Sequence, residues 1–197
     1  LKFTDEQNML REMTRSLCTD HSSVAVVRAM ENDPIGVPTA LWQQMQATGL
    51  LGLRIPERFG GMGMSLLDGA VVYEELGRHL APGPYFGSAV MSAGAIVHAG
   101  AGDACAELLG ALARGDAIVV PAWLEPDGGY GAAGVQLQAR RSGDEYRLSG
   151  TKRHVFHAKA AGKLLVLART GEAADALTLL LVDRAAPGVH CEQQLSM

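Results

Sequence analysis

Side chains able to bind a metal or form a disulfide are scattered along the chain. The cysteines Cys18, Cys105 and Cys191 are far apart in sequence, and none belongs to a CxxC pair or a Cys/His cluster. Because zinc sites and disulfide frameworks need close spacing, the sequence predicts neither a metal site nor a disulfide framework. Separated, unpaired cysteines are typical of a reducing compartment, so we expect a cytoplasmic protein.

A glycine-rich segment, GGMG at Gly60–Gly63, could bind phosphate through its backbone. It has neither the spacing of a dinucleotide-binding or Walker loop nor a preceding strand. We interpret it as a turn whose glycines supply positive φ before a helix. A hydrolase built on a nucleophilic serine is also disfavoured, because the G-x-S-x-G turn is absent.

Composition and charge exclude several classes of partner. The 197 residues carry a net charge of −4 with no basic block, which disfavours binding to nucleic acid or an anionic membrane. No apolar run reaches the ~18 residues that a membrane span needs. Hydrophobic residues make up 48% of the chain and aromatic residues only 5%. We therefore expect a core of small and aliphatic side chains.

The elements that must position any site change character at about Asp116. Before it, two segments begin with capping signals, Thr4 with Gln7 and Ser65 with Asp68, and both continue as amphipathic helices. After it, the apolar pattern approaches period two. The segments predicted as strands are Ala117–Trp123, Gly134–Arg140, Glu145–Ser149, Lys163–Arg169 and Ala176–Asp183.

This pattern predicts an α+β protein, with an N-terminal helical bundle domain at 1–115 and an antiparallel β-barrel or sandwich domain at 116–197. In the helix after Ser65, we expect a buried face formed by Leu66, Leu67, Ala70, Val71 and Leu76. The segment 187–197 resembles a strand leading onward, so we expect the β domain to be incomplete and the chain to be part of a longer one.

The segment 50–82 resembles the acyl-CoA dehydrogenase family. It fits the pattern "LG-x-x-x-P-x-x-[YF]-GG-x-G-x-S" followed by a helix with "EELG-R". The matching residues are Leu51, Gly52, Pro56, Phe59, Gly60, Gly61, Gly63, Ser65, Glu74, Glu75, Leu76, Gly77 and Arg78. Order and spacing match over about 30 residues, which is far more specific than a lone glycine motif.

Three later segments continue the resemblance in the expected order. Trp123–Tyr130 resembles "L-T-E-P-x-A-G-S-D", Leu148–Lys152 resembles "L-N-G-x-K" before "x-W-I-T/S", and Leu179–Gly188 resembles "x-F-L-V-x-x-x-x-x-G". In the family, the first of these is the loop around the flavin and the thioester.

The resemblance implies FAD-dependent α,β-dehydrogenation of an acyl-CoA thioester, in lipid or steroid side-chain breakdown. A carboxylate base removes the α proton while the β hydride passes to flavin N5, and an electron-transfer flavoprotein accepts the electrons. The base belongs to a C-terminal domain beyond this segment, so we expect no catalytic residue here. The family is usually tetrameric, so we expect a homo- or hetero-oligomer.

Matching positions imply candidate binding residues. For the cofactor they are Trp123, Leu124, Glu125, Gly129, His154, Val155 and Phe156. For the substrate they are Tyr130 and Tyr73, and the small-residue helix Ser88–Ala99 could also line an acyl pocket.

The chain departs from the family pattern at polar positions. Leu124 replaces a flavin-facing Thr, His154–Phe156 replaces "W-I-T", and Tyr130 replaces a substrate-side Ser. Leu and Phe lack the hydroxyl that would bond the flavin. Two alternatives therefore remain: a partner subunit in a hetero-oligomer that binds no flavin itself, or a flavin monooxygenase on the same fold.

Overall fold

The computed structural model describes residues 2–194, which form two compact units that divide between Ile118 and Val119. The first unit is helical and the second contains the sheet, so the α+β prediction is confirmed. No helix in the described part of the chain is long and apolar enough to cross a membrane.

The helical unit contains six α-helices and one π-helical segment among the described residues. They are α1 (Asp5–His21), α2 (Val24–Met30), α3 (Thr39–Ala47), α4 (Leu66–Arg78), the π-helix Phe86–Ser92, α5 (Ala93–His98) and α6 (Ala106–Arg114). The capping box predicted at Thr4 and the helix start predicted at Ser65 are both present, and Ser65 with Asp68 also forms a capping box. In each, two side chains satisfy backbone N–H groups that the first helical turn leaves without partners.

Helices α1, α3 and α4 pack around one apolar cluster. Leu10 and Leu17 of α1 meet Leu41 of α3 and Val72 and Leu76 of α4 there. The small residues of the later helices then pack closely, so few aromatic side chains are needed to fill the core. Burial of aliphatic side chains in this cluster is the main stabilising contribution to the helical unit.

The predicted buried face of α4 is partly wrong. Val71 and Leu76 are buried, but Leu66, Leu67 and Ala70 are exposed. The remaining positions of the buried stripe are taken by Gly69, Val72 and Glu75. A fully buried Glu is tolerated because Arg15 of α1 binds its carboxylate at 2.8 and 3.1 Å, and the sequence of α4 alone does not reveal this partner.

The sheet unit contains a five-stranded sheet with β4 at its centre. The strands are β1 (Val119–Ala122), β2 (Gln138–Ser142), β3 (Glu145–Ser149), β4 (Lys163–Arg169) and β5 (Leu177–Asp183). The predicted antiparallel pairing holds for β2–β3 and β4–β5, whereas β1–β4 and β2–β4 are parallel, so the sheet is mixed.

Strand β4 has different partners on its two edges. Along its whole length it pairs with β5, and its opposite edge pairs first with β1 and then, only at Arg169, with Gln138 of β2. The predicted hairpin turn joins β2 to β3, with Gly143 at φ 67°. No strand occurs at 187–194, and the rest of that predicted segment lies outside the described residues.

Candidate functional site

The glycine-rich turn before α4 does not present a phosphate cradle. The N–H groups of Met62, Gly63 and Met64 donate to backbone carbonyls at 2.9 to 3.0 Å, so they are not available to a ligand. Gly63 has φ 62°, and a methyl group on Gly61 would overlap the carbonyl oxygen of Ile55. The interpretation of this segment as a tight turn is therefore confirmed.

In the sheet unit, two of the predicted site segments lie side by side. The first, Trp123–Glu125, follows β1, and the second, Lys152–Phe156, follows β3. The backbone N–H of Arg153 donates to the carbonyl of Leu124 at 2.8 Å. The Lys152 ammonium donates to the carbonyl of Trp123 at 3.1 Å. These bonds bring together residues that are about 30 positions apart in sequence.

A buried ion pair joins the same two segments. The Lys152 Nζ lies 2.7 Å from Oε1 of Glu125, and the two side chains are only 7% and 10% exposed. The Glu125 carboxylate also accepts the backbone N–H groups of Gln136 at 3.0 Å and Leu137 at 3.1 Å. Protein donors thus occupy its oxygens. The predicted contribution of Glu125 to cofactor binding would therefore be to hold neighbouring residues in position.

Opposing effects act on the pKa of Glu125. Burial raises it, because a carboxylate loses hydration in the protein interior. The hydrogen bond from Lys152 and those from the backbone N–H groups of Leu137 and Gln136 lower it, and they prevail. Glu125 is therefore ionised at neutral pH, and its charge is balanced by Lys152.

The loop from Gly128 to Gly134 folds back on itself. A methyl group on Gly128 would overlap the carbonyl oxygen of Gly134, and one on Gly134 would overlap the backbone of Gly129. Side chains are excluded at these two positions because the backbones approach so closely. Between them, Tyr130 is 93% exposed and extends away from the loop.

Exposed aromatic side chains lie on the two hydrogen-bonded segments, Trp123–Glu125 and Lys152–Phe156. Trp123 is 40% exposed and Phe156 is 80% exposed, although both belong to large apolar residue types. Among the described residues, the backbone N–H groups of His154, Val155 and Phe156 donate no hydrogen bond. Flat apolar rings beside free N–H donors fit an aromatic ring system that carries acceptor atoms, and an isoalloxazine is such a group.

His154 and His157 both adopt the left-handed backbone conformation, with φ of 52° and 57°. Non-glycine residues adopt it rarely, so the chain is sharply bent on both sides of Val155 and Phe156. His154 is exposed, whereas burial lowers the pKa of His157 below its ordinary value. His157 is therefore neutral at physiological pH.

The remaining predicted residue, Tyr73, belongs to α4 in the helical unit. Its ring packs against Phe86, with 4.8 Å between the centroids and 37° between the planes. Phe86 opens the π-helix, in which the backbone repeat is wider than in an α-helix; such segments are frequent at functional sites. The small-residue helix predicted over Ser88–Ala99 thus begins in this wider conformation.

Lys152 ends the segment that resembles "L-N-G-x-K", but it is not among the site residues predicted from the sequence. It also missed Gln136 and Leu137, whose N–H groups bind Glu125. The only signal was a glutamate in an otherwise apolar, glycine-rich segment, which must find a donor when it is buried.

Comparison with known proteins matches both units to one family. Residues 4–116 match the acyl-CoA dehydrogenase N-terminal domain, and residues 122–197 match the acyl-CoA dehydrogenase middle domain. The chain therefore belongs to the acyl-CoA dehydrogenase family.

Individual relatives agree with this assignment. The chain is 30% identical over 195 residues to "Probable acyl-CoA dehydrogenase YngJ" of Bacillus subtilis, covering 95% of this chain and 50% of that protein. It is 40% identical over 115 residues to the acyl-CoA dehydrogenase IpdE2 of Mycobacterium tuberculosis, covering 58% of this chain and 35% of that protein. The chain thus spans half the length, or less, of these relatives.

Solved structures show the same fold. A variant of the Tcur3481–Tcur3483 steroid ACAD is 34% identical, with a TM-score of 0.77 over 93% of this chain and 49% of that one. The ChsE4–ChsE5 complex from Mycobacterium tuberculosis is 26% identical, with a TM-score of 0.82 over 95% of this chain and 49% of that one.

Proposed function

We propose that the protein containing this chain is an FAD-dependent acyl-CoA dehydrogenase that introduces an α,β double bond into an acyl-CoA thioester. Family membership supports the reaction class, and the similarity to a steroid ACAD supports a bulky, ring-bearing acyl group. Two-component relatives support an oligomeric assembly. An electron-transfer flavoprotein is the proposed electron acceptor.

The observation that carries the proposal is the pair of hydrogen-bonded segments in the sheet unit, Trp123–Glu125 and Lys152–Phe156. Trp123 and Phe156 offer exposed rings, and Val155 offers a free backbone N–H. These residues would hold the flavin ring: the aromatic side chains by stacking, and the N–H groups by donating to ring acceptors. FAD, when bound, supplies the hydride acceptor for the reaction.

This chain's own contribution is binding, orientation and the exclusion of water. Leu124 places an aliphatic side chain where the family has a hydroxyl, so the proposed flavin pocket is drier than in typical members. Tyr130 is free to contact the substrate because it is almost fully exposed and makes no hydrogen bond within the described chain. None of these residues is proposed as the base that removes the α proton.

The test is flavin binding by the full-length protein, with a matched pair of variants. Trp123→Ala should weaken FAD binding about 3- to 10-fold, because an aromatic stack contributes ~0.5–1.5 kcal/mol. Tyr146→Ala is the control, since Tyr146 is similarly exposed at 43% but lies on β3 beside the β2–β3 turn, at the opposite end of the strand from Lys152–Phe156. Equal FAD affinity in both variants would contradict the proposed site. Turnover of an acyl-CoA panel by the wild type then tests the reaction.

A second candidate is a partner subunit that binds no flavin of its own. It is favoured by Leu124 and Phe156, which lack the hydroxyls of the family pattern, and by relatives that are complexes of two named components. The variant Leu124→Thr separates the candidates. A restored hydrogen bond of about 1 kcal/mol should tighten FAD binding roughly fivefold if a flavin site exists. If the wild type and Leu124→Thr contain flavin only when a partner chain is co-expressed, the partner-subunit role is favoured.

A further inference from the structure

We infer that Glu125 and Lys152 are positioning residues that hold the two segments of the proposed flavin site in register. The inference rests on the proposed function for its ligand, but the geometry of the clamp is independent of any ligand. We call these two residues, with the carbonyl of Trp123 and the N–H of Leu137, the loop clamp.

The contacts of Lys152 are the first step of the argument. One ammonium group binds both the carboxylate of Glu125, at 2.7 Å, and the backbone carbonyl of Trp123, at 3.1 Å. Lys152 is followed at once by Arg153, whose N–H binds Leu124. The Lys152 side chain and the adjacent backbone bond therefore together set the distance between the backbone that carries Trp123 and the backbone that leads to Phe156.

The contacts of Glu125 are the second step. Its Oε1 accepts hydrogen bonds from Lys152 and from the N–H of Leu137, and its Oε2 accepts one from the N–H of Gln136. Leu137 immediately precedes β2, so the clamp anchors the irregular loop to the start of that strand. Trp123–Glu125 lies outside the strands, so the side-chain bonds of Lys152 and Glu125 supplement the one backbone bond from Arg153 to Leu124.

Burial of its two charged side chains makes the loop clamp favour one arrangement of the two segments. Both charged side chains are almost fully enclosed, so each needs the other in place. A ligand that bridges the two segments would meet a preorganised surface and would not have to order it on binding. Loss of the clamp should therefore be seen in ligand affinity as well as in local backbone motion.

The experiment uses the full-length protein and the variant Lys152→Met. We expect faster hydrogen–deuterium exchange at the N–H groups of Leu137 and Arg153, and FAD affinity lowered about tenfold or more. Lys163→Met is the matched control. It removes an ammonium from the same unit whose partner Asp183 lies at 3.3 Å, but both side chains of that pair are largely exposed. We expect neither exchange at these two amides nor FAD affinity to change in the control.

A second variant covers the case in which Lys152→Met fails to fold with an unpaired buried carboxylate. Glu125→Gln combined with Lys152→Met leaves no isolated charge, and the Gln amide retains one oxygen for Leu137. It should recover much of the lost stability. FAD affinity should stay low, because the Trp123 carbonyl still lacks its ammonium donor.

The outcomes separate the inference from the proposed function. If the wild type binds FAD and a folded clamp variant binds it equally tightly, the inference is overturned and the proposed function stands. If the wild type binds no FAD, with or without a partner chain, the proposed function fails. Amide exchange then still decides the inference: unchanged protection of Leu137 and Arg153 in Lys152→Met overturns it, and loss of protection supports it.

Discussion

Each unit of the protein has a buried carboxylate that is held by an ion pair, and Glu75 in the helical unit also has Arg78 Nε at 3.8 Å. In the helical unit, Glu75 is fully buried and is bound by Arg15, whose side chain is 40% exposed. In the sheet unit, Glu125 is bound by Lys152, and both side chains are nearly enclosed. The chemistry is the same, but the surroundings of the two carboxylates differ.

Glu75 joins two helices that already satisfy their own backbone groups. Removing it would leave a cavity between α1 and α4, and two packed helices can adjust only partly to fill it. Glu125 instead supplies the acceptor for backbone N–H groups of an irregular loop. Its loss can be relieved when the loop opens to water. Loss of an ion pair between helices should therefore lower the free energy of unfolding of the whole unit. Loss of one in an irregular loop should mainly increase local backbone motion.

The largest expected effect is that of Glu75→Ala. The variant opens a cavity at a fully buried position and removes the charged hydrogen-bond acceptor of Arg15, so the free energy of unfolding of the helical unit should fall by about 3 kcal/mol. Glu74→Ala is the control, because Glu74 is 55% exposed in its pair with Arg78 and should change stability by less than about 0.5 kcal/mol. Chemical denaturation of both variants measures the difference, and similar midpoints would contradict it.

Glu125→Ala should have a smaller global effect, of about 2 kcal/mol, because the loop can hydrate the groups left without a partner. Its local effect should be larger than that of Glu75→Ala. Exchange of the Gln136 and Leu137 amides should accelerate, while exchange in α1 and α4 stays as in the wild type. A uniform acceleration across the sheet unit would show that the loop does not open separately.

Gly134→Ala perturbs the same loop without touching its charges. The added methyl group overlaps the backbone of Gly129, and the loop must shift, which should lower the free energy of unfolding by about 1 kcal/mol. Gly131→Ala lies in the same loop but has open space at its Cβ position and an ordinary φ of −86°, so it should be neutral. Thermal unfolding of the two variants tests the contrast.

The smallest expected effect is on pH dependence, and it should appear first in the sheet unit. Burial lowers the folded-state pKa of His157 from 6.5, so its contribution to stability is present above pH 6.5 and is lost as pH falls from there towards the folded-state pKa. The pKa of Glu75 is lowered from 4.5, chiefly by the hydrogen bond from Arg15. Its contribution is therefore lost only below about pH 4.5.

The two tryptophans allow this order to be measured. Trp42 belongs to the helical unit and Trp123 to the sheet unit, so a Trp42→Phe variant reports on the sheet unit alone. Its fluorescence-detected stability should decline as pH falls below 6.5, and His157→Asn should remove that decline because Asn does not titrate and tolerates positive φ. A decline that persists in His157→Asn would point to another group.

Local signals in the sequence were sufficient wherever one segment determines its own structure. Neighbouring residues predict the helix starts at Thr4 and Ser65 and the strands at Glu145–Ser149 and Lys163–Arg169, and all four are present. Helix α2 was missed, because its valines have low helix propensity, and Ser23 was the only start signal.

Features that depend on distant partners could not be predicted. The parallel pairing of β1 with β4 depends on register across the fold, which period-two patterning does not encode. Glu75 was not expected in the core because its partner lies on another helix, at Arg15. At the candidate site, the segments followed from motif resemblance, but the loop clamp required knowing that Lys152 meets Glu125.

The central position of β4 also has a consequence for the order of assembly. Strand β5 is separated from β4 by one short connection, whereas β1 precedes β4 by about 40 residues. Closing the short loop is fast, so the β4–β5 hairpin should form first and serve as the template on which β1 docks. During synthesis at ~5–20 residues per second, β1 would wait for several seconds before its partner exists. For that time its apolar residues are accessible to chaperones, and a slowly translated stretch before Lys163 would lengthen the exposure.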